Sequence, residues 1–170
     1  MKTKQSIFLV ILLISIFSLK SQTSIFPSVD IFTLNGDRID ASIISNDSMP
    51  MVVVFFKSFN KECTKNLLSL NEANDEFISH KGIKVIAICI DCIGNMDHLK
   101  PYISGHNINL QVFIDKNGDL KRKMGIQHAP YTLIYDHNKN IFCKYSGYCT
   151  GIQDMICMKL KECLSKINVE

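Results

Sequence analysis

The chain has 170 residues, 46% hydrophobic and 21% charged, a balance that excludes a disordered chain and suffices for one domain with a sizeable core. Nineteen basic residues against sixteen acidic ones give a formal charge of +3. The first 21 residues hold Lys2, Lys4 and Lys20 and no acid, so without them the two signs are equal and no basic footprint for nucleic acid remains.

Residues 1–21 have the layout of a secretory signal peptide. Lys2 and Lys4 form the basic start, Ile7 to Leu19 the apolar core, and Leu19-Lys20-Ser21 the cleavage site. The apolar core is short against the roughly 20 residues of a membrane span. The expectation is a cleaved signal and one domain over residues 22–170, exported to the periplasm or another extracytoplasmic compartment, with no stable membrane insertion after cleavage. An uncleaved N-terminal anchor is the competing reading. Export places the seven cysteines, Cys63, Cys89, Cys92, Cys143, Cys149, Cys157 and Cys163, where disulfides persist. Their odd number leaves at least one thiol without a partner inside the chain.

Val29 to Leu34 alternates apolar and polar residues, Asn35-Gly36 marks a tight turn, and Arg38 to Ile44 is expected to return as a strand. Asp47-Ser48-Met49-Pro50 is a breaker. Val52 to Phe56 is a continuous apolar run and reads as a fully buried strand. After a turn at Ser58-Phe59-Asn60, a helical pattern runs from Cys63 through Leu67, Leu70, Asn74 and Phe77 to a stop near Lys81-Gly82. Lys84 to Ile90 is a second buried strand, so this strand–helix–strand order implies a right-handed parallel crossover. Asn95 to Ser104 is read as a short helix interrupted near its end by Pro101. Leu110 to Ile114 reads as a strand, Leu120 to Met124 as a helical turn ended by Gly125. Tyr131 to Tyr135 and Ile141 to Tyr145 form a hairpin, and Ile152 to Ile167 is an amphipathic final helix.

Cys63 falls in the first turn of its helix, where unpaired backbone N–H groups and the helix dipole favour a thiolate. Three stretches around it resemble the thioredoxin-like superfamily, and within it the TlpA-like branch of exported thiol–disulfide oxidoreductases. They are Phe56 to Cys63, Leu120 to Ile126, and Ala129-Pro130-Tyr131-Thr132-Leu133-Ile134-Tyr135-Asp136. The resemblance covers nearly the whole of residues 22–170. It implies an α/β fold, a thioredoxin-like three-layer sandwich with a central mixed sheet, helices on both faces and an N-terminal β-hairpin extension. It also implies a cis-proline at Pro130, facing the thiol and offering backbone groups to an extended peptide. Phe56, Phe59, Ala129, Pro130 and Tyr131 would line the substrate site. The implied partners are protein or peptide thiols and disulfides and a membrane-linked reductant, with no cofactor and no metal.

The chain departs from the family at the chemistry. Asn60 stands where the family has its attacking cysteine and Glu62 where it has a proline, leaving Cys63 alone at the resolving position. A Cys-x-x-Cys works because one thiolate attacks and the second displaces the mixed disulfide; an amide cannot attack. Cys92, at the end of the second strand, is the candidate substitute partner for Cys63, provided their Cα atoms come within bridging range. Cys89 reads as core, and Cys89 with Cys92 lacks the second ligand pair of a zinc site. Cys143 and Cys149 could close a small loop, Cys163 reads as core, and Cys149 and Cys157 as surface or bridging residues. His80, His98, His106 and His137 read as surface residues, with His128 close enough in sequence to Pro130 to influence the thiolate.

Three functions stay open. The first is a thiol–disulfide exchange protein acting through Cys63. The second is a peroxiredoxin-like thiol peroxidase using Cys63, although Asn60 and Phe56 replace that family's threonine and proline and neither Arg38 nor Arg122 falls where its activating arginine should. The third is a redox-inactive peptide-binding module.

Overall fold

A computed structural model describes residues 24–79, 82–91 and 97–167. The segment expected to be a signal peptide, His80, Lys81 and Cys92 lie outside the described residues, as does the start of the helix expected from Asn95. Strands β1 (Asp30–Thr33), β2 (Arg38–Asp40), β3 (Met51–Phe56), β4 (Lys84–Cys89), β5 (Gln111–Ile114), β6 (Tyr131–Tyr135) and β7 (Ile141–Ser146) form one sheet in the order β2-β1-β5-β4-β3-β6-β7. The helices are α1 (Lys61–Ser79), α2 (Leu99–Gly105), α3 (Asp119–Lys123) and α4 (Ile152–Ile167).

The centre of the sheet follows from the apolar run. β3 pairs in parallel with β4, Met51 opposite Lys84 through Phe56 opposite Cys89, and antiparallel with β6 on its other side. β4 also runs parallel to β5, and the remaining pairs are antiparallel, so the sheet is mixed. All six β3 side chains are buried because both faces are covered. Val52, Val54 and Phe56 meet Leu67 and Leu70 of α1, Leu99 and Ile103 of α2, and Ile152, Ile156 and Leu160 of α4. Met51, Val53 and Phe55 face Ile25, Phe26, Leu120 of α3 and Ile126. Each such buried side chain contributes about 1.5–3 kcal/mol of transfer free energy. The expected three layers, mixed sheet and N-terminal hairpin are all present.

Two local expectations are corrected. The return strand expected to reach Ile44 ends at Asp40, whose carboxylate accepts the Ser42 N–H at 2.8 Å and turns the chain into a 3-10 turn, Ala41–Ile43. Pro101 lies in the first turn of α2 rather than near its end. There a missing N–H interrupts no helical hydrogen bond, so the proline is tolerated.

Candidate functional site

The site lies where the C-terminal end of β3 hands over to α1. Asn60 is the N-cap of that helix: its Oδ1 accepts the Cys63 N–H at 2.9 Å and its carbonyl accepts the Thr64 N–H at 3.0 Å. The Thr64 hydroxyl donates to the same carbonyl at 3.1 Å. Asparagine is among the best N-cap residues because its short side chain reaches an otherwise orphaned helix donor. Asn60 therefore holds the helix start and offers no nucleophile.

Cys63 is fully buried and belongs to the core cluster with Phe56, Leu67 and Leu70. Burial pushes its thiol pKa up, and the charges of Asp91 and Glu62 add to the rise. A hydrogen bond with the Lys57 backbone and the Lys57 charge act the other way and do not win. This corrects the expectation of a stabilised thiolate. The helix start is present, but a sulfur removed from water is dominated by the desolvation cost of its charged form.

The Ala129–Pro130 peptide is cis, and the buried Pro130 accepts the Gly147 N–H on its carbonyl at 2.9 Å. Tyr131 pairs with Phe55, so Ala129 and Pro130 lie beside the end of β3 from which the chain runs to Cys63. Ala129 packs against both core clusters, one of which contains Cys63. Tyr131 is half-buried against the opposite core. Phe56 is fully buried and stacks on Tyr102 with ring centroids 6.4 Å apart, so it supports the site from beneath instead of lining it. Phe59 is the reverse case, 81% exposed with its ring 4.9 Å from that of His98.

Beside Phe59 opens a groove of about 450 Å³ between α1 and α2, walled by Ser58, Lys61, Thr64, Lys65, Tyr102 and His106. At Ser58 the groove meets a polar network that the sequence reading missed. The Asp91 carboxylate accepts the Ser58 N–H at 2.9 Å, the Ser58 hydroxyl at 3.1 Å and the Cys89 thiol at 2.9 Å. Ser58 Oγ is also 3.1 Å from His98 Nε2. Because a carboxylate only accepts, the Ser58 proton points to Asp91 and the serine oxygen takes the His98 Nε2–H. His98, read as a surface residue, is thus half-buried and engaged. Nothing in the spacing of Ser58, Asp91 and His98 announces this contact, since no periodicity links residues so far apart in the chain.

Cys89 is buried in the core, as is Cys163. Cys143 is half-buried, Cys149 exposed, and the two are not bridged. Cys92, the expected partner of Cys63, lies outside the described residues. His128 is exposed. Both arginines are engaged at the surface, Arg38 with Asp30 and Arg122 with Asp119.

The AhpC/TSA family profile matches residues 23–149. No curated protein matches this sequence. Among solved structures, an uncharacterized thioredoxin-like protein from Porphyromonas gingivalis is 27% identical with a TM-score of 0.73, covering 84% of this chain and 94% of its own. A putative thiol:disulfide interchange protein DsbE from Chlorobium tepidum is 16% identical with a TM-score of 0.70, covering 81% and 94%. The pneumococcal exposed lipoprotein thioredoxin Etrx1 from Streptococcus pneumoniae strain TIGR4 is 18% identical with a TM-score of 0.64, covering 80% and 99%. The fold is thioredoxin-like, of the kind that thiol:disulfide oxidoreductases share.

Proposed function

This chain belongs to the AhpC/TSA family, and from that premise we propose that it is an extracytoplasmic thioredoxin-like protein that keeps its partner-binding face and has lost two-cysteine exchange at the motif. The observation that carries the proposal is the pair Asn60 and Cys63: an amide capping the helix where the attacking thiol belongs, and a sulfur with no exposed surface where the resolving thiol belongs. A thiol that water does not reach, with a raised pKa, is a poor nucleophile toward a protein disulfide.

The proposed partner-binding face comprises the Ala129-Pro130-Tyr131 segment beside the end of β3 and the exposed Phe59. Protein or peptide chains bearing thiols or disulfides are the partner class suggested by the thiol:disulfide interchange neighbour. The basic and apolar layout of residues 1–21 and the exposed lipoprotein among the neighbours support export. An exported chain would show by mass that it begins after Ser21; a retained signal would contradict that part.

A second reading, single-thiol exchange through Cys63, has in its favour the Lys57 backbone hydrogen bond to Cys63, which stabilises whatever thiolate forms. In that reading a substrate uncovers the sulfur, Cys63 forms a mixed disulfide, and a second thiol such as Cys92 or one from the partner releases it. A peroxidase reading stands behind both, because the two arginines are engaged elsewhere. The deciding assay compares the mature protein with Cys63→Ser for disulfide reduction and peroxide consumption. The proposal expects no turnover from either protein. Cys63-dependent disulfide reduction would favour the second reading, and Cys63-dependent peroxide consumption the third.

A further inference from the structure

The turn that follows β7 and the first turns of α4 gather sulfur at the surface, a short step beyond the Gly147 N–H that donates to Pro130. Cys149 is exposed and unpaired. Its sulfur lies 3.8 Å from Met155 Sδ. Met155 is 41% exposed and Met158, one helical turn further on, is 70% exposed. Methionine is an apolar side chain usually drawn into cores or interfaces, so two exposed ones beside an exposed thiol need a reason.

The backbone holds this cluster in place. The Cys149 carbonyl accepts the Ile152 N–H at 3.2 Å, and the Gly151 carbonyl accepts the Asp154 and Met155 N–H groups at 3.1 and 3.2 Å. Gly151 has a φ of +80°, a conformation that favours glycine, and it sets the turn that brings Cys149 back over α4. Residues three apart on a helix share a face with Cβ atoms about 5–6 Å apart, so Met158 can reach the same point as Met155.

We propose that Cys149, Met155 and Met158 form a binding site for a soft monovalent metal ion, Cu(I). Two sulfurs each about 2.3 Å from one ion, at a trigonal to tetrahedral angle, lie roughly 3.8–4.0 Å apart, which is the separation of Cys149 and Met155. Thioether and thiolate donors are selective for Cu(I), whereas zinc takes thiolate, imidazole and carboxylate. Among the described residues, no three His, Cys, Asp or Glu side chains are grouped to hold a metal. Binding releases the Cys149 proton and changes no oxidation state, so it needs no co-reactant. Cys143, half-buried on β7, lies outside the proposed ligand set.

The test is an anaerobic competition titration of the mature protein, kept reduced without added thiol, against a chromophoric Cu(I) chelator. The expected result is one Cu(I) per chain held against the chelator. Cys149→Ser abolishes that site, and Met155→Leu with Met158→Leu weakens it by at least about tenfold. Cys143→Ser leaves the affinity unchanged, and Zn(II) does not displace the ion. The three ligands are surface residues, and matching melting curves verify that their variants fold. The proposal is overturned if the double methionine variant binds Cu(I) as tightly as the parent. It is equally overturned if Cys149→Ser retains the site or Cys143→Ser loses it.

Discussion

Asn60 and Cys63 touch through one hydrogen bond, from the Cys63 N–H to the Asn60 side chain, and that contact measures what the asparagine contributes. Asn60→Ala removes the cap and is expected to destabilise the fold by about 1 kcal/mol, a fall in Tm of roughly 2–4 °C for a domain of this size, read by thermal unfolding. Cys63 gives a pH signature. Its folded pKa is raised above the ordinary 9.0, so the native state holds the proton more tightly than the unfolded chain. Below pH 9 both states are protonated and stability is unaffected. As pH rises past 9 the unfolded chain ionises first and stability falls toward the folded pKa. Denaturation against pH should therefore show alkaline destabilisation that is shallower in Cys63→Ala. A Cys63 contribution that instead begins below pH 8 would contradict the burial argument. That Asn60 carries no nucleophile was legible in the residue itself, but its capping of the Cys63 N–H was not, because that depends on where the helix starts. The burial of Cys63 was not, because a first-turn residue faces water or core according to how the helix sits on the sheet.

At the scale of elements, β3 and α1 fix the site and Asp91 ties their junction to β4. Strand β3 was legible from its uninterrupted apolar run, and α4 from its spacing, both with little error in their ends. The shortening of β2 was not, since it depends on the Asp40 carboxylate turning back to the Ser42 amide. The Asp91 latch was invisible for a related reason: a carboxylate that gathers Ser58 and Cys89 leaves no pattern along the chain. Asp91→Ala strips the buried Ser58 of its acceptor and is expected to cost about 1–3 kcal/mol. Asp91→Asn, which keeps an acceptor oxygen, should cost less. Urea denaturation gives both numbers, and hydrogen exchange at the Ser58 amide should quicken in the alanine variant before exchange in β3 does. Equal losses in the two variants would mean that the latch contributes through packing and not through its hydrogen bonds.

At the scale of the molecule, the sheet order and the cis Pro130 segment beside the end of β3 make the described residues a thioredoxin-like scaffold. The family profile spans most of it. On the proposed reading what is missing is one sulfur at position 60, so the scaffold should accept that sulfur back. The direct measurement is disulfide reduction by the mature protein beside its Asn60→Cys variant, each with a dithiol reductant. The account predicts no turnover above background for the parent, and for the variant a reversible intramolecular disulfide with thiol-dependent turnover. Turnover by the parent that disappears in Cys63→Ser would contradict it, and so would a folded Asn60→Cys variant that forms the disulfide yet reduces nothing.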